Sequence, residues 1–161
     1  MKTELLDIRH MDCMELMAEF PDNHFDLAVV DPPYGIGAGD DVVRHKFKTS
    51  KKSWDDAIPN AEYFTELQRV SKDQIIWGGN YFLDFLSATQ GFLVWDKKRP
   101  HDFSLAMCEL AWMSIQKPAK MFRHFNGVET KQHPTQKPVK LYDWIFANYA
   151  EKGMKILDTH L

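Results

Sequence analysis

The sequence predicts an α/β fold, a mainly parallel sheet covered by helices. Three observations predict it: short apolar runs recur along the chain, segments with apolar residues at helical spacing separate them, and turn residues punctuate the junctions. A hydrophobic content of 44% with 13% aromatic residues argues against disorder. At 161 residues the chain can bury one substantial core. It shows no internal repeat or low-complexity segment, so one domain over residues 1–161 is expected, with loops inserted around 36–58 and 97–132.

Taken in order, residues 4–8 read as a strand, followed by a helix over 13–20 for which Asp12 is a good N-cap. The apolar run 25–30 is a buried strand that ends in Asp31-Pro32-Pro33-Tyr34-Gly35. Asn60 caps a helix whose face is Tyr63, Phe64, Leu67 and Val70, and the next strand is 74–77. Gly78-Gly79-Asn80-Tyr81-Phe82 turns the chain tightly into a short helix. Further strands are expected at 91–96 and 106–115. Pro138 suits the first position of a helix with Leu141, Trp144 and Ile145 buried, Gly153 suits its end, and 154–157 is a last short strand leading to Asp158.

Asp31-Pro32-Pro33-Tyr34 carries the chemistry. Ligands of open α/β sheets bind just outside the carboxyl ends of the strands, where this segment falls. An exocyclic amine on a heterocycle is a poor nucleophile because its lone pair is delocalised. Asp31 can accept one of its N–H groups and the Pro32 carbonyl the other, the prolines stiffen the turn so that these acceptors are preorganised, and Tyr34 can stack on the ring. Such a base inside a duplex must be flipped out to be reached. A plain strand-ending turn would use the same residues, Asp, Pro and Gly.

A second segment, His133-Pro134-Thr135-Gln136-Lys137-Pro138, joins a cation to hydroxyl and backbone donors at a helix start, a combination suited to a carboxylate. Together the two segments resemble those of the site-specific DNA adenine N6-methyltransferases that use S-adenosyl-L-methionine. The order, amine-binding tetrapeptide first and cofactor segment last, resembles the permuted class of that family. The stretch from Trp77 to Phe82 is similar to its phage-type members, and Glu109-Leu110-Ala111-Trp112 is similar to the family as well. The resemblance runs over nearly the whole chain.

The resemblance implies a Rossmann-like methyltransferase fold and methyl transfer to the N6 amine of a flipped adenine in double-stranded DNA, as in restriction-modification systems. Asp31, Pro32, Pro33 and Tyr34 would form the catalytic segment, and Asp12, Asp31, Thr135, Gln136, Lys137 and Asp158 would bind the cofactor. The Asp form of the tetrapeptide is more like adenine enzymes than cytosine N4-methyltransferases, which usually carry Ser, or the Asn form of enzymes acting on protein glutamine or RNA.

Intact relatives have a seven-stranded sheet in order 3-2-1-4-5-7-6 with strand 7 antiparallel, and a glycine-rich loop after the acid that Asp158 matches. This chain supplies runs for strands 3 to 7 and then 1, with no run for strand 2 and no glycine loop after Asp158. The expectation is therefore a domain incomplete at its C-terminus. Its strand at 4–8 would be frayed, displaced or paired with another chain, and self-association through the exposed edge would follow. Two alternatives stay open: a catalytically inactive, prophage-type remnant that keeps the fold and DNA affinity, and an unrelated α/β binding protein.

Charge and cysteine content set the remaining expectations. The net charge of −3 is no global nucleic-acid signal, but bases concentrate in the loops: Lys46, Lys48, Lys51 and Lys52, then Lys97, Lys98 and Arg99, then Arg123. If these loops share a face, phosphate contact is the expected use. The two cysteines, Cys13 and Cys108, have no disulfide or metal-ligand pattern. No signal peptide or membrane-length apolar run is visible, so cytoplasmic residence is the default expectation.

Overall fold

The structure, a computed structural model, describes residues 5–37, 55–100, 106–125 and 136–160. Helix α1 (Cys13–Ala18) starts where Asp12 Oδ1 accepts the Met14 and Glu15 N–H groups at 2.8 and 3.3 Å. Two of the helix's four orphan donors are met there. Strand β1 (Phe25–Val30) follows, then helix α2 (Ala61–Val70), in which Asn60 Oδ1 accepts the Tyr63 N–H at 3.0 Å and the buried stripe is the expected Tyr63, Phe64, Leu67 and Val70. The helix hands directly to strand β2 (Ser71–Trp77), so β2 begins three residues before the expected start.

A single 3₁₀ turn (Gly79–Tyr81) leads towards strand β3 (Phe92–Asp96), which pairs with strand β4 (Cys108–Met113). Strand β5 (Lys120–Arg123) corrects the sequence reading, which placed these residues in a loop. Only Phe122 is partly buried there, so an edge strand of this kind owes its extended form to pairing with β3 and not to an apolar pattern of its own. Helix α3 (Val139–Tyr149) is preceded by Pro138 as its N-cap residue, one position earlier than expected. It stops at Tyr149, and Gly153, with φ +94°, turns the chain into strand β6 (Ile156–Leu157) rather than ending the helix.

The sheet order is β5-β3-β4-β2-β1-β6. Strand β4 runs antiparallel to β2 and β3, while β1 pairs in parallel with both β2 and β6, and β3 in parallel with β5. Registers such as Val30 opposite Ile76 and Ala28 opposite Leu157 bring the carboxyl ends of β1, β2 and β6 level with one another. Residues 5–8, expected as a strand, lie outside this sheet: Asp7 forms a lone bridge and Leu5 is 98% exposed.

Period-two alternation along β1 divides the core. Ala28 and Val30 face α1 and α2 with Met17, Phe64, Leu67 and Ile76, while Leu27 and Val29 face α3 with Ile75, Trp77, Leu141 and Ile145. A strand covered on both sides reads as a continuous apolar run, which is why β1 was legible. The helix following β1 and the helix preceding β6 lie on opposite faces, so a crevice opens between the carboxyl ends of these two neighbours. Doubly wound sheets bind ligands at such switch points. No described helix is long and apolar enough to cross a membrane.

Candidate active site in the crevice between β1 and β6

Val30 ends β1 fully buried, and the chain leaves it through Asp31 into a cleft of about 1310 Å³. The Asp31 carboxylate is held from two directions. Its Oδ1 accepts the Tyr34 hydroxyl at 2.6 Å, and its Oδ2 pairs with the Lys137 ammonium arriving from the segment before α3. Burial first, then the Asp31 carboxylate, pushes the Tyr34 phenol far above its ordinary value, so it stays an O–H donor.

The loop after the tetrapeptide is pinned by a residue the sequence reading missed. Asp55, 1% exposed, accepts the Tyr34 N–H at 2.7 Å and the Gly35 N–H at 3.0 Å on a single carboxylate oxygen, and its own carbonyl accepts the Gly37 N–H at 3.1 Å. An acid in the strand-poor stretch before Asn60 is the sole sequence trace of it. Gly78 supplies the other support: at φ +72° it follows β2, and a Cβ there would sit 2.2 Å from the Tyr34 ring. The ring lies against bare backbone because no side chain is present to keep it off. Tyr34 also stacks on Tyr81 at a centroid distance of 5.1 Å and 16° between planes.

Glu109 is the second residue whose role emerges only in three dimensions. It sits on β4, and its two oxygens meet Lys97 Nζ at 2.5 Å and Lys137 Nζ at 3.3 Å. Burial alone would raise its carboxyl group, but the two lysines outweigh that and hold it below the usual carboxylate range. A lone acid beside the apolar stretch of β4 was the available signal.

At the neighbouring end of β6, Asp158 lines the same cleft and accepts the His160 N–H at 3.0 Å. Burial, reinforced by Asp31, raises its carboxyl group above the usual range, with Lys137 and the adjoining backbone N–H groups offsetting only part of this. Thr159 joins the hydroxyl of Tyr63 at 2.8 Å and His160 Nδ1 at 2.8 Å, and burial lowers the His160 imidazole.

The expected site residues therefore divide. Asp31, Pro32, Pro33, Tyr34, Gln136, Lys137 and Asp158 all line the cleft. Asp12 does not: it is exposed and engaged in capping α1. Lys97, read as a phosphate contact, also turns into the cleft, onto Glu109 and over the Trp95 ring at 5.1 Å, because an ammonium so shielded needs a counter-charge. Arg99 lines the cleft, whereas Lys98 and Arg123 are exposed, Arg123 lying 3.5 Å from Asp96. Since β1, β2, β3, β5 and β6 point the same way, Asp31, Lys97, Lys98, Arg99, Arg123 and Asp158 share one edge of the sheet. Lys46, Lys48, Lys51, Lys52 and Thr135 lie outside the described residues.

No known family's sequence profile matches the chain. Among solved structures it is distantly similar to a presumptive DNA modification methylase from Thermus thermophilus, with 15% identity and a TM-score of 0.39. The match covers 91% of this chain, which spans 63% of that protein's length.

Proposed function

We propose that the chain carries the amine-binding half of a DNA methyltransferase site, acting on the N6 amine of a flipped-out adenine with S-adenosyl-L-methionine as donor. The observation that carries this reading is the position of Asp31: a carboxylate braced at the carboxyl end of β1, in the switch-point crevice, beside an aromatic ring and one strand away from Asp158. Asp31 accepts an amine N–H, the prolines keep that acceptor in place, and Tyr34 with Tyr81 offers an aromatic wall for the base. Restoring lone-pair density on the amine nitrogen is what a fixed anionic acceptor does for such a substrate.

The cleft fits the donor in part. Its carboxylates, Asp31 and Asp158, suit a ligand that bears a sulfonium, an ammonium and ribose hydroxyls, and Asp158 with Gln136 would hold it on the β6 side. When bound, S-adenosyl-L-methionine supplies an electrophilic methyl group. Lys137, expected at the donor's carboxylate, has its ammonium on Asp31 and Glu109 within the same cleft. Lys98 and Arg123, both exposed, would contact the phosphates of double-stranded DNA, with the salt dependence such contacts bring.

The test is direct. Incubation of the chain with radiolabelled donor and unmethylated duplex should place label in N6-methyladenine after digestion, and Asp31→Ala should abolish it. Label in N4-methylcytosine would move the assignment to cytosine, and absence of incorporation would overturn catalysis by this chain.

A further inference from the structure

Asp31, the acceptor on which the amine site depends, already has a donor on each oxygen: the Tyr34 hydroxyl on Oδ1 and the Lys137 ammonium on Oδ2. Each oxygen keeps a second lone pair, but an incoming amine meets the full carboxylate charge only if one of these donors yields. Tyr34 is the harder to move, because its ring rests on the Gly78 backbone and its own N–H is tied to Asp55. Lys137 is the easier. Its side chain is only 3% exposed, so it cannot retreat to water, but Nζ also lies 3.3 Å from Glu109 Oε2 and 3.2 Å from the Tyr34 hydroxyl.

A buried ammonium that loses one carboxylate is strongly penalised unless another receives it. Here the second carboxylate is within reach, and the path between the two is lined by the Trp77 and Tyr34 rings, 5.3 and 5.6 Å from Nζ. Aromatic faces favour a cation and keep water away. Lys97 lies on the other oxygen of Glu109, so Glu109 is held in place to receive a second cation.

We infer that Lys137 is a positioning residue that gates the amine site, occupying Asp31 in the free chain and shifting onto Glu109 when an amine takes its place. This deepens, and rests on, the reading of Asp31 as the amine acceptor. Glu109 then sets how readily the site opens. Removing its charge strands Lys137 on Asp31, whereas removing the Lys137 charge leaves Asp31 open at all times.

Binding of adenosine, compared with N6,N6-dimethyladenosine, which has no amine N–H, tests this by calorimetry on the full chain at pH 8. Glu109→Gln should weaken adenosine binding about tenfold and Lys137→Met should strengthen it about tenfold, the scale of one hydrogen bond to a charged group. The double variant should match Lys137→Met alone, because Glu109 acts only through the lysine. Adenosine affinity unchanged in Glu109→Gln, or additive effects in the double variant, would overturn the gate while leaving the amine site standing. If Lys137→Met does not fold, Glu109→Gln still decides, since a purely structural brace predicts no selective loss of the ligand that carries N–H groups. Equal binding of the two nucleosides, or binding of neither, would overturn the amine-site reading and the gate with it.

Discussion

Glu109 and Asp158 line one cleft and are both shielded from solvent, yet their carboxyl groups are driven in opposite directions. Glu109 is held below the ordinary range because Lys137 and Lys97 outweigh its burial. Asp158 is raised above it because burial dominates and Asp31 adds a like charge. The partners on hand, and not depth alone, decide the sign. The β4 side of the crevice is neutralised and cross-braced, whereas the β6 side keeps a carboxylate at a standing cost.

The brace on the first side is the place to break the comparison most severely. Gly78→Ala would place a Cβ within 2.2 Å of the Tyr34 ring at a backbone φ of +72°, so it should displace Tyr34 and destabilise the chain by about 3 kcal/mol. Thermal unfolding measures the loss, and tyrosine fluorescence should report the broken Tyr34–Tyr81 stack.

Glu109→Gln comes next. It takes from Lys97 and Lys137 the carboxylate they share and leaves Lys137 on Asp31, and because the Glu109 side chain is still 24% exposed the cost should be about 1–2 kcal/mol in denaturant unfolding. The pH dependence follows from the direction of its shift. A carboxyl group lowered in the fold stabilises it above the ordinary carboxylate range and loses that contribution as pH falls through the lower folded value. The lowered His160 works in the same sense but begins higher, its contribution present above pH 6.5 and lost below. Stability should therefore fall on acidification in two stages, and His160→Gln should remove the earlier one.

Asp158→Asn is the smallest effect and has the opposite sign. A raised carboxyl group favours the folded state below its unfolded value of 3.8 and is a cost above its folded value. Removing the charge should stabilise the chain near neutral pH by up to about 1 kcal/mol. A loss of stability on this substitution would show that Asp158 is better paired than its surroundings indicate.

Legibility in the sequence followed how local each signal was. The start and the buried face of helix α2 were readable because its cap, Asn60, and its stripe, Tyr63 to Val70, act within one or two turns. Strand β1 was readable because burial on both faces makes its whole length apolar. Strand β5 was not, since edge pairing with β3 supplies what its polar sequence lacks. Asp12 shows a limit of another kind, for a residue type that suits a ligand site equally suits a helix cap, and only position distinguished them.

The sequence by itself determined the residue types of the site, Asp31 to Tyr34 at a strand end and Gln136-Lys137 before a helix, because each sits at a boundary that local pattern marks. It also determined the alternation of strands and helices, through the two periods of apolar residues. Only the tertiary structure decided that Lys137 pairs with Asp31, 106 residues away, that Asp55 holds the Tyr34 loop from 21 residues on, and that Glu109 stands between two lysines. Such pairings depend on which strand ends the sheet brings level, a property of strand order and register that no single segment encodes.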